Sequence, residues 1–406
     1  MKVVQINSYC GRGSTGKICV AISELLAKKD IENYILYSRW NSDYKLAIKY
    51  ENDYYAKWQG FRERVFGTFG FEAKKATRVL IQHLEEIKPD IVHLHVLHSH
   101  DCHLTMLFNY LKEKHIKVFW TFHDCWAITA YCPYFDMINC SKWKAVCNHC
   151  PDKKRFSWFF DRSEEIHKRK KALVDGLDLT IITPSEWLAG VVKDSFMKDF
   201  PVMVINNGID LNVFKPIVHT DEELNCIRKK YGIIGKKILL GVADVWSERK
   251  GFADYCKLAA ILPYDIVIVL IGLDENKRKT LPQNILGMPR TKTQRELADW
   301  YSLANVVLNL SYEETFGMTT VEGFACGTPC IAYNKTASTE FDDGTTCKVV
   351  EAGNAEQVLN AVRDFLAKEK IEIKQICRER ALRQYDQKDV FGKYVALYSD
   401  DLGGEN

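Results

Sequence analysis

Glu314 and Glu322 lie eight positions apart, with Phe316-Gly317 between them and Gly327-Thr-Pro329 beyond. The Phe-Gly pair predicts a tight turn, and the run after it predicts a helix. The first turn of that helix would leave the backbone N–H groups of Met318 and Thr319 without intrahelical acceptors. Such groups, at the positive end of the helix dipole, favour a phosphate or diphosphate. A carboxylate on the incoming loop and another about one turn inside the helix suit hydroxyl groups on either side of that phosphate. Two solvated glutamates on an amphipathic helix would explain the Glu-x7-Glu spacing alone. The Phe-Gly turn, the Gly-Thr-Pro exit and a strand expected at 306–310 favour the ligand-holding reading.

A second candidate is Gly11-Arg-Gly13-Ser14-Thr15-Gly16-Lys17, between the first expected strand and a helix. It fits G-x-G-x-x-G and most of G-x4-G-K. A dinucleotide site wants a carboxylate at the end of the second strand, about 20 residues on, where this chain has Tyr37-Ser38-Arg39. A phosphate loop wants Ser or Thr after its lysine to reach magnesium, and here Ile18 follows. What remains is a glycine turn at the carboxyl edge of a parallel sheet, where such folds take ligands. A plain strand-to-helix turn would need one glycine rather than three.

His93 and His95 would share one face of a strand and could chelate a metal, with His98, His100 and His103 close behind. Cys132, Cys140, Cys147 and Cys150 follow the spacing C-x7-C-x6-C-x2-C. Four thiolates in such a loop-rich stretch suit a tetrahedral structural zinc with no open catalytic position. Cys125 and His149 offer other ligand sets, and reduced packing thiols are the competing reading. Lys153-Lys-Arg-Phe-Ser-Trp-Phe-Phe160 and the cluster at 168–171 place aromatics beside cations, which suits an anionic membrane surface. From 142 to 171 there are ten Lys or Arg against four Asp or Glu.

The elements that must position these groups alternate short β-rich runs with helices. Strands are expected at 3–6, 34–37, 91–95, 118–122 and 179–183, then at 238–242, 266–271, 306–310 and 329–333. Apolar runs separated by helices of a dozen or more residues mean parallel sheets built of βαβ units. Two such series mean an α/β chain with two doubly wound, Rossmann-like domains. The division is expected after residue 205, giving 1–205 (with a cysteine-rich insert at 125–151), 206–388 and a terminal helix within 389–406. At 406 residues the chain is too long for one ordinary core. Its net charge of +3 does not indicate a nucleic-acid partner. The start lacks signal-peptide character, and the longest apolar run, near 266–273, is far short of the roughly 20 residues that span a bilayer. The expected location is the cytoplasm. Fourteen cysteines there argue for buried thiols rather than disulfides.

These motifs together resemble the family-four retaining glycosyltransferases, which have the two-domain GT-B fold. The resemblance runs through the glycine loop, Asp90-Ile-Val-His-Leu-His95, Thr121-Phe-His123-Asp-Cys-Trp126, Thr183-Pro-Ser-Glu-Trp-Leu188, Asn207-Gly-Ile-Asp210, Lys250-Gly251 and the stretch from 311 to 329. The segments 61–77 and 123–151 resemble a subgroup associated with bacterial capsular or exopolysaccharide (colanic-acid-type) assembly.

The resemblance implies two sheets facing a cleft, a UDP- or GDP-sugar donor, a lipid-linked saccharide acceptor and a terminal helix crossing back to the first domain. It implies that the glycine loop (Gly13, Ser14, Thr15, Gly16), the turn at Phe316, Gly317, Met318 and Thr319, and Lys250 hold the diphosphate. Glu322 would accept hydrogen bonds from the ribose, Glu314 would hold the transferred sugar, and His123 would donate to a sugar hydroxyl. His93 and His95 become pocket lining. The family's arginine position holds Val245, and Arg249 is the neighbouring candidate. Lys250 and the backbone amides would do the work of a divalent ion, since no Asp-x-Asp stands near the donor site. A sugar-nucleotide epimerase of the same fold, a phosphorylase and a non-catalytic scaffold are the alternatives. Peripheral attachment to the inner face of the membrane would bring the protein to its acceptor.

Overall fold

The computed structural model describes residues 1–403; residues 404–406 of the expected terminal segment lie outside the described residues. The chain forms two compact units, one comprising 1–207 and the segment from Lys388 onward, the other 208–387. The first is built on a seven-stranded sheet of order β3-β2-β1-β4-β5-β6-β7. Its strands are β1 Lys2–Asn7, β2 Glu32–Tyr37, β3 Ala47–Lys49, β4 Ile91–Leu94, β5 Lys117–Thr121, β6 Leu179–Thr183 and β7 Val202–Val204. The second unit carries a six-stranded sheet of order β10-β9-β8-β11-β12-β13. These are β8 Lys237–Val242, β9 Ile266–Ile271, β10 Ile285–Met288, β11 Val306–Asn309, β12 Cys330–Tyr333 and β13 Cys347–Val350. Every strand pairing is parallel.

Central strands are apolar because helices cover both faces of a parallel sheet. β9, Ile-Val-Ile-Val-Leu-Ile, is buried at all six positions. Four strands go beyond the sequence expectation: β3, β7, β10 and β13. Each is an edge strand of three or four residues. An edge strand has one ladder partner and a half-wet face, so it needs no continuous apolar run.

In the first sheet the chain leaves β1 for β2 on one side and later enters β4 on the other. In the second, β8 and β11 bear the same relation. Each pair is a topological switch point, where loops at the carboxyl ends diverge and leave room for a ligand. The helix Gln387–Gly403, longer than the expected stretch, closes the first unit. Its Val390, Phe391, Tyr394, Val395 and Tyr398 form one cluster with Val3, Ile91 and Phe119 of the sheet and with Ile18, Ile22 and Leu26 of the helix Gly13–Lys28.

Candidate functional site

In the second unit, the loops leaving β8 and β11 are laced together. The chain runs from β8 through a short 3₁₀ turn, Glu248–Lys250, to Gly251 and the helix Phe252–Ile261. Gly251 has φ +68°, and a Cβ there would lie 2.1 Å from the Leu310 carbonyl oxygen. Only glycine permits both the left-handed backbone and that approach. The contact carries Arg249 and Lys250 to the next loop. Tyr312 N–H donates to the Arg249 carbonyl at 2.8 Å, and Arg249 Nη1 donates to the Glu313 carbonyl at 2.8 Å. Lys250 Nζ donates to the Glu314 carboxylate. The Glu314 N–H donates to Thr336 Oγ1 at 2.8 Å, and Ala337 N–H donates to the Glu314 carbonyl at 3.2 Å. Burial would raise the Glu314 pKa, but the Lys250 charge and hydrogen bond, with Arg249 beyond, hold it below the usual carboxylate value. The result is a partly sheltered ammonium–carboxylate pair with fixed backbone supports.

The chain then turns at Gly317, φ 111°, into the helix Met318–Ala325, so Met318 and Thr319 occupy its first turn. The Phe316 ring faces inward against Phe341 and Tyr385, with centroids 5.6 and 6.0 Å away, and only its backbone is available to a ligand. Glu322 sits about one turn in, and the buried Tyr301 hydroxyl donates to its Oε2 at 2.7 Å. Thr328 Oγ1 donates to the Tyr301 carbonyl at 2.6 Å, so the Gly-Thr-Pro exit steadies the tyrosine that orients Glu322.

In the first unit, the corresponding crevice lies beyond β1 and β4. Gly11 and Gly13 have φ of +70° and +64°, and a Cβ on Gly16 would meet the Tyr9 carbonyl oxygen at 3.1 Å. All three glycines therefore have a backbone reason, which removes the argument that a plain turn needs only one. Gly13 and Ser14 are exposed, while Thr15 Oγ1 accepts from Asn7 Nδ2 at 3.4 Å. Beyond β4 the histidines form networks. His93 meets Thr121 Oγ1 at 2.8 Å and the Tyr398 hydroxyl at 2.5 Å. His95 links Gln5 Oε1 at 3.2 Å to His123 Nε2 at 3.0 Å. His98 pairs with Asp124 at 2.8 Å. Burial, with His123 nearby, pushes His93 down to about 3. Burial likewise takes His123 to about 4, Asp124 opposing and His98 adding.

The family profile described as Glycosyltransferase Family 4 matches residues 16–213. The profile described as Glycosyl transferases group 1 matches 225–384. Together they cover most of both units. The chain belongs to the family 4/group 1 glycosyltransferases, of GT-B fold. A colanic acid biosynthesis glycosyl transferase, so named in Escherichia coli strain K12, is 23% identical over 233 residues, covering 52% of this chain and 55% of that protein. The processive diacylglycerol alpha-glucosyltransferase of Acholeplasma laidlawii is 29% identical over 165 residues, 38% of this chain and 48% of its own. The chain thus spans about half the length of these curated relatives. Among solved structures, sucrose-phosphate synthase from Thermosynechococcus elongatus superposes with a TM-score of 0.71 at 14% identity over 100% of both chains. HepE of Anabaena, in complex with UDP and glucose, gives 0.69 at 14% identity over 98% of this chain and 99% of that one.

Within this glycosyltransferase, the residues singled out from sequence fall into two groups. Arg249, Lys250, Glu314, Gly317, Met318, Thr319 and Glu322 gather at the β8–β11 switch point. Gly13 to Gly16 lie at the β1–β4 switch point of the other unit, and His123 follows the neighbouring β5, joined to His95 at the end of β4. Val245, at the family's arginine position, is 70% exposed, and the neighbouring Arg249 is engaged with the Glu313 carbonyl. Thr336, Tyr301 and Gln5 were not legible as site supports, because their partners are far away in sequence and their types are ordinary.

Among the described residues, no three His, Cys, Asp or Glu side chains stand where one metal ion could take them. Cys132 and Cys147 lie in the first unit's core with Cys140 and Cys150 against it. Burial pushes the Cys132 thiol to about 12 and Cys147 and Cys150 to about 11. The basic cluster at 168–171 is not wholly a surface: Lys170 is buried, and its Nζ donates to the carbonyls of Trp126, Thr129 and Ala130 at 2.8, 3.0 and 3.3 Å.

Proposed function

We propose that the protein transfers a sugar, with retention, from a nucleoside-diphosphate donor to a saccharide acceptor. The observation that carries this reading is the Lys250–Glu314 pair beside the first turn of Met318–Ala325. A cation and a helix start within one crevice suit a diphosphate, and the carboxylate suits the hydroxyls of the sugar attached to it. Lys250 and the first-turn amides stabilise the charge growing on the leaving phosphate, the chief electrostatic demand of the reaction. Arg249 adds to the phosphate contacts, and Glu322, held by Tyr301, takes the ribose hydroxyls. The leaving phosphate accepts the acceptor's proton on the face it departs from, and no divalent ion is required. HepE's complex with UDP and glucose supports a UDP-sugar as the first donor to try.

The acceptor in this reading is lipid-linked, and the protein works at the cytoplasmic membrane face. Among the described residues no helix is long and apolar enough to cross a membrane. The helix Asp53–Phe66 exposes Trp58 and Phe61, which stack at 5.5 Å, and Phe61 meets the exposed Trp158 at 5.7 Å. Phe159 and Phe160, with Lys57, Arg64, Lys154 and Arg155, are exposed as well. Aromatics among cations suit the headgroup layer of an anionic membrane.

Calorimetry with UDP, GDP and their sugars, followed by release of nucleoside diphosphate with acceptor, tests the reading. Binding of at least one nucleoside diphosphate, abolished by Lys250→Ala together with Glu322→Ala, is expected. Absence of binding to every nucleotide sugar by the folded protein would sink it. Sedimentation with anionic vesicles tests the membrane part, and protein left in the supernatant at low salt would count against it.

A further inference from the structure

Trp40, on the stretch that leaves β2, is 51% exposed and has φ +59°. An indole left half in water gains little from burial, and an aromatic side chain in the left-handed region strains the backbone. Most other non-glycine residues at positive φ are Asp, Asn or His, which tolerate it, or a lysine that ends a helix. The exception is Thr336, whose hydroxyl holds the Glu314 N–H. The backbone around Trp40 is pinned at three points. Arg39 N–H donates to the Ser8 carbonyl at 2.8 Å, Trp40 N–H to Asp53 Oδ1 at 2.8 Å and Ser42 N–H to the Tyr37 hydroxyl at 3.1 Å. Lys49 Nζ, at 2.8 Å, and Arg39 Nε, at 3.5 Å, fix Asp53 in turn. The neighbours of the indole come from the glycine loop after β1. The Tyr9 ring lies 5.3 Å away between centroids, tilted by 51°, and the Arg12 guanidinium carbon is 5.4 Å from the indole centre. A half-exposed aromatic face thus stands on a fixed backbone at the carboxyl ends of β1 and β2, the edge where open parallel sheets take ligands.

We propose that Trp40, with Tyr9 and Arg12 beside it, is a stacking platform for a pyranose ring of the saccharide acceptor. The inference rests on the reading above that the acceptor is a saccharide, and it uses residues of the first unit alone. One face of a pyranose turns C–H bonds outward. These are apolar and slightly positive, so they leave water together with the indole and meet the negative face of its π-system. The Arg12 guanidinium and the Tyr9 hydroxyl, at the rim, can donate to the hydroxyls that ring the sugar. A platform held in place before the sugar arrives loses little freedom on binding, which gives the strained backbone a use. An acyclic polyol has the hydroxyls without the C–H face and is not a ligand. The loop also carries the exposed Asp43 between Arg39 and Lys45, unlike the cationic aromatic patch around Trp58 and Trp158, so a neutral saccharide suits it better than an anionic lipid surface.

Fluorine spectra of the full chain labelled with 5-fluorotryptophan test the platform, with Trp40→Phe assigning the resonance. The probes are the methyl pyranosides of glucose, galactose, mannose and N-acetylglucosamine, with sorbitol as the acyclic control. The Trp40 resonance is expected to move saturably with at least one pyranoside and to ignore sorbitol. Saturation-transfer spectra of the same pyranoside then compare variants. Trp40→Leu should weaken binding roughly two- to tenfold, the scale of one aromatic contact, while Trp40→Tyr keeps most of it. A merely packed Trp40 would be served as well by leucine. A Trp40 resonance that no pyranoside moves, or undiminished binding by Trp40→Leu, overturns the proposal. So does a resonance that answers only to anionic vesicles or only to UDP, which would make the occupant a lipid surface or a nucleotide. If Trp40→Leu does not fold, the fluorine titration of the wild type decides alone. Neither measurement needs transfer. Pyranoside binding at Trp40 by a protein that takes no nucleotide sugar would uphold the platform and refute the transferase reading, and nucleotide-sugar binding with Trp40 unmoved by any pyranoside would do the reverse.

Discussion

Lys250 and Glu314 touch each other, so neither can be substituted without changing the other's environment. In the proposed reading, a donor diphosphate competes with Glu314 for the Lys250 ammonium. Lys250→Met should therefore weaken binding of free nucleoside diphosphate by about tenfold or more, the scale of a charged hydrogen bond. Glu314→Gln should bind it no worse than wild type while losing turnover. Isothermal titration of the two variants and their double mutant checks this, and the double should fall short of the summed effects, as groups in contact do. Tighter nucleotide binding by Lys250→Met would reverse the assignment.

The buried histidines make a prediction of their own. His93 and His123 are pushed by burial to about 3 and about 4 from an ordinary 6.5. In that window the unfolded chain binds protons that the native one does not, so stability rises with pH. Acidification from about pH 6.5 toward pH 4 should accordingly lower Tm, and His93→Gln should lose less over the same interval. Thermal melts at half-unit pH steps decide it, and a flat Tm through that range would show that these rings are already charged in the fold.

Among the elements, the turn Glu248–Lys250 with Gly251 acts as a bracket that holds the β8 loop against the end of β11. Gly251→Ala adds a Cβ in a left-handed conformation and against a carbonyl, with strain on the order of 1–3 kcal/mol. It should lower Tm by several degrees and turnover more than nucleotide binding, because Glu314 shifts with the bracket. Kinetics combined with calorimetry check this, and wild-type behaviour would show that the close approach is dispensable.

The bracket also shows which features a sequence displays. Glu314 was legible from its spacing to Glu322 across the Phe-Gly turn, and Lys250-Gly251 from its resemblance to the family's motif. Thr336, which holds the Glu314 backbone, and Tyr301, which holds Glu322, carry no local pattern, since their partners are brought by the fold. The same division holds for strands. β1, β8 and β9 were plain as apolar runs, whereas the edges β3 and β7 are only three residues long each and are not fully buried at any position. The cysteines show a related limit: their spacing suits a ligand set, and burial in an aromatic core suits the same residue type.

On the scale of the whole molecule, the first unit is discontinuous in sequence, since the helix Gln387–Gly403 supplies Val390, Phe391, Tyr394, Val395 and Tyr398 to its core. Tyr394→Ala removes a fully buried aromatic, a change that typically costs about 3–5 kcal/mol. The unfolding transition of the first unit should move to lower temperature, while that of the second, followed in the same calorimetric scan, stays in place. A shift of both together would mean that the two units unfold as one.

This arrangement also sets an order of events during synthesis. Ile18, Ile22 and Leu26 emerge early, yet their covering helix is made only after every residue of the second unit. At about 5–20 residues per second, that unit alone takes on the order of 10–40 s to translate. For that interval the nascent first half presents an unfinished apolar face, while the second half can fold as soon as it clears the ribosome. The last segment made is thus the one that completes the first, and the waiting nascent chain is the stage at which this protein is most exposed to aggregation and most in need of a chaperone.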